Sequence, residues 1–340
     1  MIAFNSKGEQ IDVDKDLGQV DRDLSSLPQP DGTDDEKLQG LVDQYAQMFA
    51  HGARTSVLKR PSDVGLDYEE VQFPSRDGVA LEAWLIPAAG SDRLLVVNHP
   101  MTCNRYGFPG HLEPWKTDLA VFGGFEVDFL TELRFLHDAG YNILTYDLRN
   151  HGLSSDANGV TSGLGLIEAR DVVGSLRYVR SQDQLAAMKL GLYSRCMGGN
   201  STIVAMHHWP EEFGGVQALV VLNSVSGKTF IEQGARNIGL DPNKAREALA
   251  DKLVGLCGQR LDDEAPQLYA HAVTVPTLLA QLRRDFLIDA ETDGQEIFDA
   301  IGAHDKELLW IEDSNQRFYA YNHFGQHPDK LIKWFDDHIK

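Results

Sequence analysis

The chain has 340 residues, with 31 Lys and Arg against 51 Asp and Glu and a formal net charge of -20 at pH 7. A field of that sign repels phosphate backbones and anionic lipid surfaces, which argues against nucleic-acid and membrane partners. The length accommodates one large α/β core with an inserted subdomain, or two modest domains.

The three cysteines, Cys103, Cys196 and Cys257, are an odd number at wide spacing. They fit neither a disulfide framework nor a metal-ligand set, so a reducing cytoplasm is the expected compartment. The amino terminus, MIAFNSKGEQIDVDKD, lacks the basic start and apolar run of a signal peptide, and no apolar stretch reaches membrane-spanning length. No cofactor and no metal are expected, and the oligomeric state is not legible.

In chain order, residues 1 to about 34 are polar and acidic and read as an arm, followed by LQGLVDQYAQMFAHG, whose apolar spacing predicts a helix near residues 36 to 52. This front piece, residues 1–66, is expected to pack on a core that begins at residue 67. There DYEEVQF and VALEAWLIPA flank the turn signal SRDG and predict a β-hairpin. The buried-type runs LLVVNHP, YNILTYDLRNHG, KLGLYSRC, ALVVLNSV and VPTLLAQL then alternate with helical stretches. That rhythm predicts an α/β fold, a mostly parallel sheet with helices on both faces, whose chemistry gathers at the carboxyl ends of the strands. The core is read as residues 67–225 and 273–340. The helical segment between them, 226–272, is too long for an ordinary crossover and is read as a small lid.

The strand-to-helix junction Ser194-Arg195-Cys196-Met197-Gly198-Gly199 has the nucleophile-elbow pattern of small residue, any residue, nucleophile, any residue, glycine, with sulfur replacing the usual hydroxyl. Ser194 fails as nucleophile because the positions two before and two after it, Leu192 and Cys196, are not small like glycine. Cys196 is therefore the candidate, and its place at a helix N-terminus favours thiolate. Cys103 and Cys257 lack that setting and are read as ordinary buried thiols.

In such a fold the acid and the base follow the nucleophile in the chain. Asp285 stands at the end of the strand VPTLLAQL, with Asp289 a rival four residues on. Among the histidines after the strand KELLWIE, His338 lies deep in the terminal helix, His327 adjoins Pro328 at a helix start, and His323 is the chosen base. Oxyanion donors are expected from the backbone N–H groups of Met197 and Met101. His99, Arg105, Tyr106 and Trp115 share the Met101 loop and carry no assigned role.

The segments DLRNHGLSS and GLYSRCMGG, with the Asp285 strand end, resemble the α/β-hydrolase superfamily over about residues 67 to 340. The cysteine elbow followed by two glycines is similar to dienelactone hydrolase and its relatives, which implies cleavage of esters or lactones through a Cys-His-Asp triad. Polyester synthases share a cysteine elbow, so the resemblance also admits acyl transfer. One departure is visible: many members place the histidine within a few residues of the last strand, where this chain reads DSNQRF. The leading expectation is a cysteine-dependent hydrolase of esters, lactones or thioesters. The alternatives are an acyltransferase or condensing enzyme using the same cysteine, and a non-catalytic ligand-binding protein that has lost the base.

Overall fold

Strands that run as near-continuous apolar stretches need cover on both faces, and the architecture supplies it. The computed structural model describes residues 2–4, 10–12, 21–22 and 29–340, so most of the expected arm lies outside the described residues. The main sheet comprises β1 (Glu69–Pro74), β2 (Ala80–Ile86), β3 (Arg93–Val97), β4 (Asn142–Tyr146), β5 (Lys189–Arg195), β6 (Val216–Leu222), β7 (Thr277–Leu282) and β8 (Lys306–Ile311). Their spatial order is β8-β7-β6-β5-β3-β4-β2-β1. The β1–β2 hairpin is antiparallel, as is the β2–β4 pair, and every pairing from β4 through β3 and β5 to β8 is parallel. Every residue of β4 and of β7 is buried.

The longer helices are α1 (Asp34–Ala50), α2 (Phe129–Asp138), α3 (Ala169–Ser181), α4 (Met197–His208), α5 (Gly227–Asn237), α6 (Pro242–Cys257), α7 (Ala290–Ala300) and α8 (Asp329–His338). Helix α1 begins at a capping box: Thr33 Oγ1 accepts from Glu36 N at 3.3 Å, and Glu36 Oε2 accepts from Thr33 N at 2.8 Å. Its buried face, Val42, Ala46, Phe49 and Ala50, recurs at helical spacing and packs on α5 and α6. An ion pair from Lys252 to Asp43 ties α6 to α1, and Ser162 N donates to Phe49 O at 3.0 Å. Helices α5 and α6, with the short turns Leu261–Asp263, Pro266–Leu268 and Ala270–Ala272, fill the stretch read as a lid.

Strand order changes direction at β3: the next strand in sequence, β4, lies on one side and β5 on the other. A crevice opens outside the carboxyl ends of strands at such a point. The loop carrying Met101 leaves β3 there and Cys196 directly follows β5. Among the described residues no helix is long and apolar enough to cross a membrane.

Candidate active site

Cys196 sits between β5 and α4 with φ 48° and ψ -116°, a conformation that costs a non-glycine residue on the order of 1–3 kcal/mol and persists only where the surroundings over-determine it. They do so here: Cys196 N donates to Leu222 O at 2.7 Å, and Cys196 O accepts from Asn200 N at 2.8 Å. Asn200 clamps the other side, donating to Leu164 O at 2.9 Å and Val225 O at 2.8 Å while accepting from Ser224 Oγ at 2.7 Å. Gly198 is demanded by close approach. A Cβ there would stand 2.1 Å from Asn98 Oδ1 and 2.9 Å from His99 O, so only glycine lets α4 start against the end of β3.

Although Cys196 is only 4% exposed, it borders a cavity of about 40 Å³ lined by, among others, Tyr45, Met48, Phe122, Phe230 and Phe318. That space holds about three water molecules. Its walls come from three sources: α1 supplies Gln44, Tyr45 and Met48, the lid segment supplies Phe230, and the core supplies the rest. The contribution of α1 escaped sequence reading, because helical periodicity reports an apolar face and not what that face covers.

Neither Met101 N–H nor Met197 N–H has an acceptor within the described residues. Met197 opens α4, where the first N–H groups have no intrahelical partner. The Met101 loop is held by two buried imidazoles. His99 Nδ1 bonds Pro100 O at 2.8 Å and its Nε2 accepts from Leu148 N at 2.9 Å. His151 Nδ1 bonds Arg149 O at 2.8 Å and its Nε2 accepts from Thr102 N at 3.3 Å. Burial above all drives both rings down to about 3. With both nitrogens engaged, neither ring is a base; they are clasps. The same loop is tethered by Asp147, which accepts from Arg105 N at 2.7 Å and forms an ion pair with the Arg105 guanidinium at 3.6 Å. Tyr106 OH reaches Glu126 at 3.4 Å, and Trp115 begins a short helix over 115–118.

Asp285 is buried at the end of β7, where its Oδ1 accepts from Leu287 N at 3.0 Å. Its rival Asp289 is the N-cap of α7, accepting from Thr292 N at 3.3 Å. The group that Asp285 holds is not a histidine. Arg317 Nη1 donates to Asp285 Oδ2 at 2.6 Å, Arg317 Nε to Tyr321 Oη at 3.1 Å, and Arg317 Nη2 lies 3.8 Å from the Cys196 sulfur while also donating to Asn223 O. Arg317 is 1% exposed. Burial works against its charge, yet Tyr321, Cys196 and Asp285 outweigh burial and raise its pKa well above the ordinary value. Burial pushes the Asp285 carboxyl up, opposed chiefly by Arg317. The Tyr321 hydroxyl accepts from Arg317 Nε, and burial keeps its proton bound well above the usual phenol range.

The expected base, His323, is elsewhere. Its Nδ1 pairs with Asp313 at 2.5 Å, and among the described residues no histidine ring bonds to Cys196 or Asp285. The reason is local: the loop after β8 turns into the short helix Arg317–Ala320, which delivers Arg317 to Asp285 first, and His323 follows in the next short helix, His323–Gln326. His327 Nε2 lies 3.9 Å from Asp313, and His338 bonds Trp334 O and Asp305 in the terminal helix. Asp313, His323 and His327 bring three donor atoms within 4.8 Å of one another, a donor set able to hold a divalent metal. Arg317 itself was visible in DSNQRF, at the place where the resemblance puts a histidine. Its connection to Asp285 was the missing signal.

Cys103 is fully buried, and burial pushes its thiol well above the ordinary range. Cys257 ends α6, bonding Leu253 O at 3.4 Å.

No protein-family model matches the chain, and no curated protein matches it in sequence. Solved structures do match in fold. An esterase from Pyrococcus furiosus superposes with a TM-score of 0.63 at 18% identity, covering 86% of this chain and 99% of its own. An α/β hydrolase from a Penicillium species gives 0.53 at 14% identity, covering 81% and 99%. A cold-adapted esterase from an Arctic intertidal metagenomic library gives 0.53 at 14%, covering 82% and 96%. These likenesses, together with the mostly parallel eight-stranded sheet, identify the architecture as the α/β-hydrolase fold.

Proposed function

We propose that the protein is a cysteine-dependent acyl-transfer enzyme that takes an acyl group from an ester, lactone or thioester onto Cys196. The reading is carried by one observation: Cys196 stands at a positive-φ elbow on an apolar cavity, with Met197 next in the chain and Met101 on the cavity wall, and the N–H groups of both have no acceptor among the described residues. The anionic sulfur adds to the carbonyl carbon, and the Met101 and Met197 N–H groups donate to the oxygen on which charge develops. Collapse of the tetrahedral species expels the leaving group and leaves an acyl-cysteine. Arg317 supplies the sulfur with a fixed positive charge, and Asp285 holds the guanidinium in place.

Hydrolysis of that intermediate needs a group that takes a proton from water, and a guanidinium does not. The occupation of the imidazole position by Arg317 therefore favours the second reading, transfer of the acyl group to an acceptor over release to water. A non-catalytic binding role is the competing class.

Intact-mass spectrometry after mixing with activated acyl donors tests the reading. An acyl adduct on wild-type protein, absent in Cys196→Ala, is expected. Full esterase activity in Cys196→Ala with no adduct on the wild type removes it.

A further inference from the structure

We infer that the site exchanges acyl groups between thiols: its donors are thioesters and its acceptors are thiols. This rests on the acyl-Cys196 reading and narrows it to a substrate class. The observation behind it is the set of groups that touch the sulfur. In a triad with histidine, the imidazole that removes the nucleophile's proton later hands a proton to the leaving oxygen. Here that position is held by Arg317, whose N–H donors are spent on Asp285, Asn223, Tyr321 and the sulfur itself.

The two phenols within reach do not replace it. Tyr321 accepts from Arg317 Nε at 3.1 Å, and burial holds its proton well above the ordinary range. Tyr45, on the cavity wall, is held in the same direction by burial and then by Asp285. Thr102, also on the wall, gives its hydroxyl proton to Met101 O at 2.6 Å. The site thus has charge stabilisation for an oxyanion and for a sulfur anion, and among the described residues no imidazole or carboxylate bonds the sulfur to shuttle protons.

Leaving groups sort themselves by that criterion. An alkoxide leaves an ordinary alkyl ester only with a proton delivered to it, a contribution worth about 10²–10⁴ in rate. A thiolate leaves unaided. The Cys196 sulfur anion adds to a thioester carbonyl, the C–S bond to the donor breaks, and the donor departs as a thiolate with the electron pair. An acceptor thiolate then adds to the acyl-Cys196 carbonyl, its new C–S bond forms, and Cys196 leaves as its anion. The protein moves no proton at any step; acceptor and donor thiols exchange theirs with solvent. The small apolar cavity next to Cys196 suits a short hydrocarbon acyl group, which on filling it displaces water from the acyl-enzyme.

The experiment compares the butyryl thioester of N-acetylcysteamine with ethyl butyrate on the full chain, reading the butyryl adduct on Cys196 by intact mass. Acylation at least about 100-fold faster from the thioester is expected, and with added 2-mercaptoethanol the acyl group appears on that thiol faster than as free butyrate. Arg317→His, which restores an imidazole, is expected to narrow the preference at least about tenfold by speeding the ethyl ester. Should that variant fail to fold, the wild-type ratio decides alone. Comparable acylation by both esters, or free butyrate as the main product despite the acceptor thiol, overturns the thioester assignment and leaves acyl-Cys196 standing. If neither donor acylates Cys196 while iodoacetamide alkylates it, the acyl-enzyme reading itself fails and takes this inference with it.

Discussion

Arg317 and Asp285 form a buried ion pair at 2.6 Å, in which the guanidinium occupies the station that an imidazole holds in a nucleophile-base-acid triad. A second nitrogen of the same guanidinium lies 3.8 Å from the Cys196 sulfur. The pair therefore links the carboxylate to the sulfur through a permanent charge, which bears on stability through Asp285 and on the sulfur through Nη2.

Removing one partner separates the two effects. Arg317→Met leaves Asp285 as a lone buried carboxylate, a change that typically costs about 3–5 kcal/mol. Adding Asp285→Asn to the same chain is expected to recover at least about 1 kcal/mol of that loss in urea unfolding. Iodoacetamide labelling of Cys196 at neutral pH is expected to slow at least about tenfold in both variants, because neither offers the sulfur a cation. Labelling at the wild-type rate in the folded double variant would show that Arg317 does not act on the sulfur.

Gly198→Ala tests the elbow. The new methyl group would stand 2.1 Å from Asn98 Oδ1 and 2.9 Å from His99 O, so β3 and α4 must separate at an estimated cost of about 1–3 kcal/mol. Thermal unfolding is expected to fall accordingly, and acylation of Cys196 to drop at least about tenfold, since the shift displaces Met101 from Met197. An unchanged melting temperature would mean that the junction yields freely.

The His151 clasp predicts a pH effect of defined sign. The folded ring is pushed down to about 3, chiefly by burial, from an ordinary 6.5. Stability from this ring is thus complete above pH 6.5 and is lost as pH falls toward 3, amounting to about 2 kcal/mol by pH 5. His151→Gln has no such titration. The stability difference between wild type and variant in urea should therefore shrink by about 2 kcal/mol from pH 7.5 to pH 5. A gap that stays constant over that range contradicts a neutral buried ring.

Tyr45 of α1 is half-buried at the cavity wall. Tyr45→Ala is expected to leave the fold intact, to open the cavity to water, and to shorten the lifetime of acyl-Cys196 several-fold in a chase monitored by mass spectrometry. A lifetime equal to that of the wild type would place the barrier to water in the α5 wall, at Phe230, instead of α1.

The amino-acid sequence by itself determined the alternation of buried strands and helices, because apolar periodicity is a local property that any covered sheet imposes on its own residues. It also determined the elbow: the tight junction at Cys196 writes its requirement into adjacent positions, with Gly198 where a side chain would strike Asn98. Asp285 was legible for a similar reason, as a carboxylate at the carboxyl end of a core strand. The partner of Asp285 was not. Residues 285 and 317 meet across two strand ends, and no local pattern specifies which side chain of the loop after β8 turns inward. Histidine chemistry pointed to His323, whereas packing paired that ring with Asp313. Only the tertiary structure decided that a fixed charge, and not an imidazole, faces the sulfur, and that α1 lines the cavity beside it. Both depend on contacts between segments distant in the chain, where the energy of burial selects a neighbour that spacing along the backbone does not encode.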